Sequence, residues 1–264
     1  MTVRDALDAA VAAIAAAGCE TPRLDAELLI ADALAVDRAA LHRDPERPIS
    51  GAEARVISTR VRRRVAREPV AYILGRQGFR HIELAVDSRV LIPRPETELL
   101  VEVALELPQG ARVHEVGTGS GAVALALLDE RPDLGVTASD ASPAAVELAR
   151  LNAARLGLPL DPEITTGLPA GDWDLVIANL PYVREDEWEG LQPEIRKYEP
   201  REALVSGVDG LDAIRALVRE APPGTRLALE HAPGQAAAVR ALLGGAETRR
   251  DLAGRERVTL GAAP

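Results

Sequence analysis

The sequence predicts an α/β protein in which a Rossmann-like, mostly parallel sheet follows a small helical domain. From residue 111 onward, short apolar strands alternate with helical segments, which is the order that builds a parallel sheet. Before residue 68, apolar residues recur only at helical spacing. With 264 residues, 47% hydrophobic and 27% charged, the chain can form both domains of an ordinary soluble globular protein.

The N-terminal part is predicted to be helical throughout. Leu7, Val11 and Ile14 share one helix face in an alanine-rich segment. A capping box formed by Ser50 and Glu53 opens another helix, which continues to about residue 66. That helix carries five arginines, which form either a solvated face or a docking surface for an acidic partner. They are Arg60, Arg62, Arg63, Arg64 and Arg67.

A β-hairpin is predicted to join the two domains. Residues 79–86 alternate between apolar and polar, Asp87-Ser88 supplies a turn, and residues 90–92 form the returning strand. The proline-stiffened loop Pro93-Arg94-Pro95-Glu96-Thr97-Glu98 follows, and a helix runs from Glu98 to Leu107. The predicted organisation is a helical domain at 1–76, a hairpin linker at 77–94 and an α/β domain at 95–264.

Charge and composition exclude several classes of protein. The net charge of -10 argues against a nucleic-acid surface over the whole molecule, although residues 1–80 hold 13 arginines against 11 carboxylates. The single cysteine, Cys19, excludes an internal disulfide framework and fits the reducing cytoplasm. Neither a signal peptide nor a membrane-spanning apolar run is indicated. No metal is expected, because the four histidines lack ligand spacing.

A glycine-rich loop opens the α/β domain. The strand at 111–116 leads into Gly117-Thr118-Gly119-Ser120-Gly121 and an apolar helix, and a second strand ends at Asp140. A helix capped by Ser142-Pro143 then runs to about residue 156, which completes a right-handed βαβ unit. Asp140 lies 23 residues after Gly117, near the offset at which a carboxylate meets ribose hydroxyls.

The acid before this loop indicates which ligand it binds. Glu115 precedes the first glycine by two residues and would repel a pyrophosphate at the helix N-terminus. S-adenosyl-L-methionine has a ribose, a sulfonium and an ammonium but no phosphate, and it fits better. The predicted cofactor site therefore comprises Glu115, Gly117, Thr118, Gly119, Ser120, Gly121 and Asp140, with S-adenosyl-L-homocysteine as product. The alternative is a structural βα turn.

A buried strand at 174–178 ends in Asn179-Leu180-Pro181-Tyr182. Asn179 stands where open α/β sheets place their ligands, and its amide offers one acceptor and two donors. Leu180 precedes a proline, which fixes the direction of its carbonyl. Pro181 and Tyr182 supply flat surfaces. Together they predict a binding site for a planar NH2 group. Asn179 is also expected to border the cofactor. The alternative is an ordinary Asn-x-Pro turn.

The remaining segments complete the sheet. Strands are predicted near 162–165, at 226–230, near 248 and at 257–260, with helices at 209–220 and 234–243. The hairpin-like ending predicts one antiparallel edge.

Four segments resemble the release factor glutamine N5-methyltransferases. They are Pro69-Val70-Ala71-Tyr72-Ile73-Leu74-Gly75, Leu91-Ile92-Pro93-Arg94-Pro95-Glu96-Thr97-Glu98, Glu115-Val116-Gly117-Thr118-Gly119-Ser120-Gly121 and Asn179-Leu180-Pro181-Tyr182. The resemblance spans nearly the whole chain, and the Arg94 stretch discriminates best. It implies a class I SAM-dependent methyltransferase fold with a seven-stranded sheet, and an N-terminal domain that recognises the release factor. The implied reaction methylates the glutamine amide of a Gly-Gly-Gln loop. Asn179 would be the catalytic residue, and Arg94 and residues 179–182 would bind the substrate.

Three positions depart from the family pattern. Glu115 stands where the family usually has Asp, and Ala232 replaces a glycine. Leu180 replaces a proline, so that Asn179-Leu180-Pro181-Tyr182 also resembles the motif of rRNA adenine N6-dimethyltransferases. Because this position acts through its backbone carbonyl, leucine can keep the contact.

Several alternatives remain from the sequence. An N6-adenine methyltransferase would also bind a planar NH2 group, but the negative charge and the 2% aromatic content argue against it. A glutamine methyltransferase acting on a ribosomal protein and a binding protein without catalysis are the others. We expect a monomeric cytoplasmic enzyme whose partner is a release factor, with no direct nucleic-acid or membrane contact and no general base.

Overall fold

The computed structural model describes residues 1–264, which divide into two compact units. The first unit is Met1–Gly75 with Gln192–Tyr198, and the second is Arg76–Leu191 with Glu199–Pro264. The segment at 192–198 thus belongs to the first unit although the sequence analysis places it in the α/β domain. None of the helices is long and apolar enough to cross a membrane.

The first unit is helical. Its helices are α1 (Val3–Ala16), α2 (Pro22–Ala33), α3 (Arg38–Arg43), α4 (Gly51–Val65) and α5 (Val70–Leu74), together with the short helix Pro193–Tyr198. Ile14, Leu29 and Ile30 are fully buried between them. The predicted capping box at the start of α4 is present, because Ser50 and Glu53 each accept a hydrogen bond from the other's backbone N–H.

The arginines of α4 and its C-terminal end are mostly engaged inside the first unit. Arg60 pairs with Asp32, Arg63 with Glu68, and Arg67 with Glu194. Arg64 is buried, with its Nε atom 2.6 Å from Asp25 and its Nη2 atom 2.8 Å from Glu194. Neither a solvated face nor an open docking surface describes Arg60, Arg64 and Arg67, whose side chains are at most 21% exposed. The side chain of Arg63 is 41% exposed although it is paired, and Arg62 is exposed.

The second unit contains nine strands and five helices. The strands are β1 (Arg76–Phe79), β2 (Ile82–Ala85), β3 (Arg112–Val116), β4 (Gly135–Asp140), β5 (Glu163–Ile164), β6 (Leu175–Ala178), β7 (Arg226–Glu230), β8 (Gly244–Arg250) and β9 (Glu256–Ala262). The helices are α6 (Glu98–Leu105), α7 (Ala122–Glu130), α8 (Pro143–Leu156), α10 (Asp212–Glu220) and α11 (Ala236–Leu242); α9 is Pro193–Tyr198 of the first unit.

A seven-stranded sheet forms the centre of this unit. Its order is β5-β4-β3-β6-β7-β9-β8, and only the pairings of β9 with β7 and β8 are antiparallel. The predicted mostly parallel sheet with one antiparallel edge is therefore confirmed. Val116 pairs with Ala178, which pairs with Leu229 in turn. As a result, β3, β6 and β7 all end at the same edge of the sheet. Gly117, Asn179 and Glu230, which stand at these strand ends, lie close together.

The predicted hairpin is wrong in its register. β1 and β2 pair around a turn at Arg80 and His81, with Phe79 opposite Ile82. Arg80 adopts a φ of 51°, which an arginine rarely does, so nothing in the sequence marked this turn. Residues 87–90 do turn, but the segment after them forms no strand. Phe79, Ile82 and Leu84 belong to the apolar core of the second unit.

Candidate active site

A cavity of about 600 Å³ opens at the C-terminal ends of β3, β4 and β6. This volume suits a small-molecule ligand. Ten of the twelve residues predicted for the site line it: Arg94, Glu115, Gly117, Thr118, Gly119, Ser120, Asp140, Asn179, Leu180 and Pro181. The other two, Gly121 and Tyr182, do not border it.

Gly121 has a structural position at the start of α7. It adopts a φ of 84° as the residue that caps this helix. A Cβ atom there would stand 2.9 Å from Cδ1 of Leu125 and 3.3 Å from Cβ of Ala149. Glycine at this position therefore permits close packing of the helix rather than contact with the cavity.

Asp140 is fixed between the end of β4 and the glycine loop. Its Oδ2 atom accepts the N–H of Gly119 at 2.9 Å, and Oδ1 accepts the N–H of Ser142 at 2.8 Å. Each oxygen keeps acceptor capacity, because a carboxylate oxygen can take two hydrogen bonds. The arrangement presents a preorganised acceptor to the cavity, as the recognition of ribose hydroxyls requires.

Glu115 is a second carboxyl group on the cavity wall, and it is almost fully buried. Its Oε2 atom accepts the hydroxyl of Thr118 at 2.6 Å and the N–H of Ala124 at 3.0 Å. Burial raises the pKa of Glu115 to about 7; Asp140 adds to the rise, and the two hydrogen bonds oppose it.

The cavity favours a cationic ligand. Its two arginines are each paired with a carboxylate: Arg89 with Asp87 at 2.7 Å, and Arg94 with Glu199 at 2.5 Å. Glu199 also accepts the N–H of Ile92 at 3.2 Å. This hydrogen bond fixes the Glu199 carboxylate, which in turn holds Arg94 at the cavity wall. Positive charge in the cavity is thus neutralised, whereas Asp140 has no basic side chain among its hydrogen-bond partners.

Asn179 follows β6 and is oriented by a residue far away in the sequence. Its Nδ2 atom donates to Oγ1 of Thr97 at 2.9 Å. Thr97 is 5% exposed and lies in the loop before α6. Thr97 belongs to the stretch that discriminates the family best, but it was not predicted as a site residue, because a contact across 82 residues depends on tertiary packing.

Tyr182 turns into the protein rather than toward the cavity. Its hydroxyl donates to Oε1 of Glu230 at 3.2 Å, and burial raises its pKa. Glu230 is 1% exposed, and burial raises the pKa of this carboxyl to about 7, while the hydroxyls of Thr97 and Tyr182 oppose the rise. Glu230 is a second residue that the sequence analysis did not assign to the site.

The loop before α6 is anchored to the C-terminal strand. Glu96 accepts hydrogen bonds from Arg255 at 3.2 Å and from Arg257 at 3.4 Å. Both arginines also pair with Asp251. These ion pairs fix the segment that carries Arg94 and Thr97 beside the end of β6.

Comparisons with known proteins identify the class and the family. Residues 5–75 match the model of the PrmC N-terminal domain, and residues 95–192 match that of the methyltransferase small domain. The hMettl16 catalytic domain in complex with MAT2A 3'UTR hairpin 6 shares the fold, with a TM-score of 0.50 and 12% identity over 67% of this chain and 73% of that chain. The second unit is thus a class I SAM-dependent methyltransferase domain.

The most informative relatives are curated proteins of similar length. The release factor glutamine methyltransferase of Xylella fastidiosa strain Temecula1 is 42% identical, over 96% of this chain and 98% of that protein. The one from Geobacter sulfurreducens is 41% identical, over 90% of this chain and 87% of that protein. The chain belongs to the release factor glutamine methyltransferase family.

Proposed function

We propose that this methyltransferase transfers a methyl group from S-adenosyl-L-methionine to the side-chain amide nitrogen of the glutamine in the Gly-Gly-Gln motif of peptide chain release factors. The observation that carries the proposal is the orientation of Asn179. Its Nδ2 atom is engaged by Thr97, which leaves the Oδ1 atom of an uncharged side chain for a substrate N–H in a cavity lined by four acidic residues.

The residues of the cavity fit the cofactor. Asp140 can accept hydrogen bonds from both ribose hydroxyls, and Glu115 lies where the positively charged groups would be stabilised. Thr165, Thr166 and Gly167 form the wall after β5, where the adenine would lie. When bound, S-adenosyl-L-methionine supplies a methyl carbon whose bond to positively charged sulfur breaks as the amide nitrogen bonds to it.

Asn179 and Leu180 would position the glutamine amide. An amide nitrogen is a weak nucleophile because its lone pair is delocalised into the carbonyl. The Asn179 Oδ1 atom and the Leu180 carbonyl would each accept one of its hydrogens, favouring a more pyramidal nitrogen, and Pro181 would pack against the flat group. Preorganised acceptors of this kind contribute by positioning and electrostatics. One hydrogen leaves as a proton after transfer, so no general base is required.

Release factors are the protein partners, and Arg94, held by Glu199 at the cavity wall, lies where it can border the incoming loop. The protein acts in the cytoplasm. The enzyme acts as a monomer.

Radiolabelled methyl transfer tests the function. Purified enzyme and labelled S-adenosyl-L-methionine are incubated with a release factor, with the same factor carrying glutamate in place of the Gly-Gly-Gln glutamine, and with total rRNA. We expect label only on the release factor that retains the Gly-Gly-Gln glutamine. Label on rRNA alone would show an N6-adenine methyltransferase instead, and equal label on both release factors would place the methyl on another residue.

A further inference from the structure

Two buried side chains, Thr97 and Glu230, and the half-buried Tyr182 connect Asn179 to the interior of the sheet. Thr97 accepts from Asn179 at 2.9 Å, and Tyr182 donates to Glu230 at 3.2 Å. Glu230 is the last residue of β7, and Thr97 lies beside it. All four belong to the second unit, and Glu230 and Tyr182 do not border the cavity.

We propose that Thr97 and Glu230 are positioning residues, which hold the Asn179 amide with its oxygen toward the substrate. This inference rests on the proposed function. An asparagine amide can rotate by half a turn with little change in shape, so its neighbours decide which atom faces the cavity. No polar partner other than Thr97 contacts the Asn179 side chain.

The hydroxyl of Thr97 can act as an acceptor only if its own proton is directed elsewhere. A threonine hydroxyl carries one proton and two lone pairs. Glu230 is buried beside Thr97, and its Oε1 atom accepts the hydroxyl of Tyr182 at 3.2 Å. The Oε2 atom of Glu230 is buried without a hydrogen-bond partner and is the acceptor that would take this proton, so that Thr97 presents lone pairs to Asn179 and selects the NH2 end of that amide.

The position of Tyr182 supports the same role for Glu230. Its hydroxyl occupies Oε1 of Glu230, while Oε2 is buried with no hydrogen-bond partner. Asn179 and Tyr182 are the first and last residues of the same four-residue motif after β6. Glu230 contacts Tyr182 directly, and it influences Asn179 through Thr97. A single carboxyl group therefore links both ends of the segment that would grip the substrate.

Thr97→Val tests this role, because valine keeps the branched shape and removes the hydroxyl. We expect kcat for release factor methylation to fall about 10–100-fold. This is the range found when a residue that orients a metal-binding side chain by a hydrogen bond is replaced. The KM for S-adenosyl-L-methionine should change less than threefold. Thr97→Ser restores the hydroxyl and should restore most of kcat. In the double variant with Asn179→Ala, Thr97→Val should cause no further loss, because the side chain it orients is absent.

Each outcome has a defined meaning. If the wild-type enzyme does not label the release factor, the proposed function is wrong and this inference fails with it. If the wild type labels it but Thr97→Val keeps full kcat, or Thr97→Ser falls as far, the positioning role alone is overturned. The positioning role would also be overturned if Thr97→Val lowered kcat as much in the Asn179→Ala background as in the wild type. Should Thr97→Val fail to fold, Glu230→Gln replaces it, with a smaller loss of kcat that again disappears on Asn179→Ala.

Discussion

Gly210 packs directly against the carbonyl group of Tyr182. A Cβ atom on residue 210 would stand 2.2 Å from the carbonyl oxygen of Tyr182, and Gly210 has a φ of 75°. The Nε2 atom of Gln235 donates to that same oxygen at 2.9 Å and to the carbonyl of Asp209 at 3.0 Å. The loop at 209–210 therefore packs against the end of the Asn179–Tyr182 motif and holds it in place.

Gly210→Ala should disturb the motif without touching the cofactor residues. The new methyl group collides with backbone and imposes an unfavourable φ, so we expect a loss of about 1–3 kcal/mol in the free energy of unfolding. The kcat for methyl transfer should fall, while the Kd for S-adenosyl-L-methionine stays close to that of the wild type. Chemical denaturation and calorimetric titration measure both.

Gly190→Ala is the matched control for that substitution. A Cβ atom at residue 190 meets nothing within 4 Å, and this glycine is exposed with no positive φ. Its effect on the free energy of unfolding should stay within about 0.5 kcal/mol, as for an ordinary surface change. Similar destabilisation by both alanines would show that the contact with Tyr182 contributes nothing.

Asp140→Asn should weaken cofactor binding selectively. Asparagine keeps one acceptor oxygen, but its NH2 group must face the backbone N–H of either Gly119 or Ser142. Losing a charged acceptor and creating this repulsion should raise the Kd for S-adenosyl-L-methionine about 10–100-fold. Asp161→Asn removes a carboxylate that is 84% exposed and paired with Arg150, and it should leave Kd unchanged. Isothermal titration compares them, and equal Kd values would contradict the assignment of Asp140.

Much of the sheet could be predicted because its elements carry strong local signals. The strand at 226–230 and the helix at 143–156 begin and end where the sequence indicated, since an apolar run and a Ser-Pro cap mark them. The helix expected from Asp209 begins at Asp212, because Gly210 takes a positive φ. The hairpin turn at Arg80 has no turn residue to mark it.

The site was predictable in position but not in its internal contacts. Sequence order and the chemistry of Asp140 and Asn179 were sufficient to predict that both residues lie at one edge of the sheet, where they line the same cavity. The contacts of Asn179 with Thr97 and of Tyr182 with Glu230 join residues 82 and 48 positions apart, and packing alone decides such pairs. For the same reason the ring of Tyr182, which the sequence analysis directed toward the substrate, could not be placed beforehand.

Glu230→Gln should change how stability depends on pH. Burial raises the pKa of Glu230 to about 7 and Glu96 adds to this, whereas Thr97, Tyr182 and Arg257 oppose it. The folded state therefore keeps a proton that the unfolded state loses above about pH 4.5. Raising the pH from 4.5 to 7 should cost the wild type about 3 kcal/mol through this group. Glutamine does not titrate, so the variant should gain stability relative to the wild type as pH rises.

Denaturation of both proteins at pH 5, 6, 7 and 8 measures this difference. His114 and Glu115 also have shifted pKa values, but they titrate in both proteins and cancel in the comparison. A difference in the free energy of unfolding that stays constant over this range would show that Glu230 ionises at its ordinary pKa.

Glu194 should be essential to the first unit because it compensates the buried Arg64 and the partly buried Arg67. Its carboxylate pairs with Arg64 and Arg67, and its side chain is only 11% exposed. Glu194→Ala leaves both guanidinium groups without this partner, which should cost about 3 kcal/mol, as when one member of a buried ion pair is removed. Glu46→Ala is the control: Glu46 pairs with Arg4 at the surface of the same unit, where the side chains are 69% and 58% exposed, and less than about 1 kcal/mol should be lost. Hydrogen exchange of the α4 amides reports the opening free energy of this unit in each variant. Equal exchange in the two variants would mean that the ion pairs of Glu194 add no more stability than a surface pair.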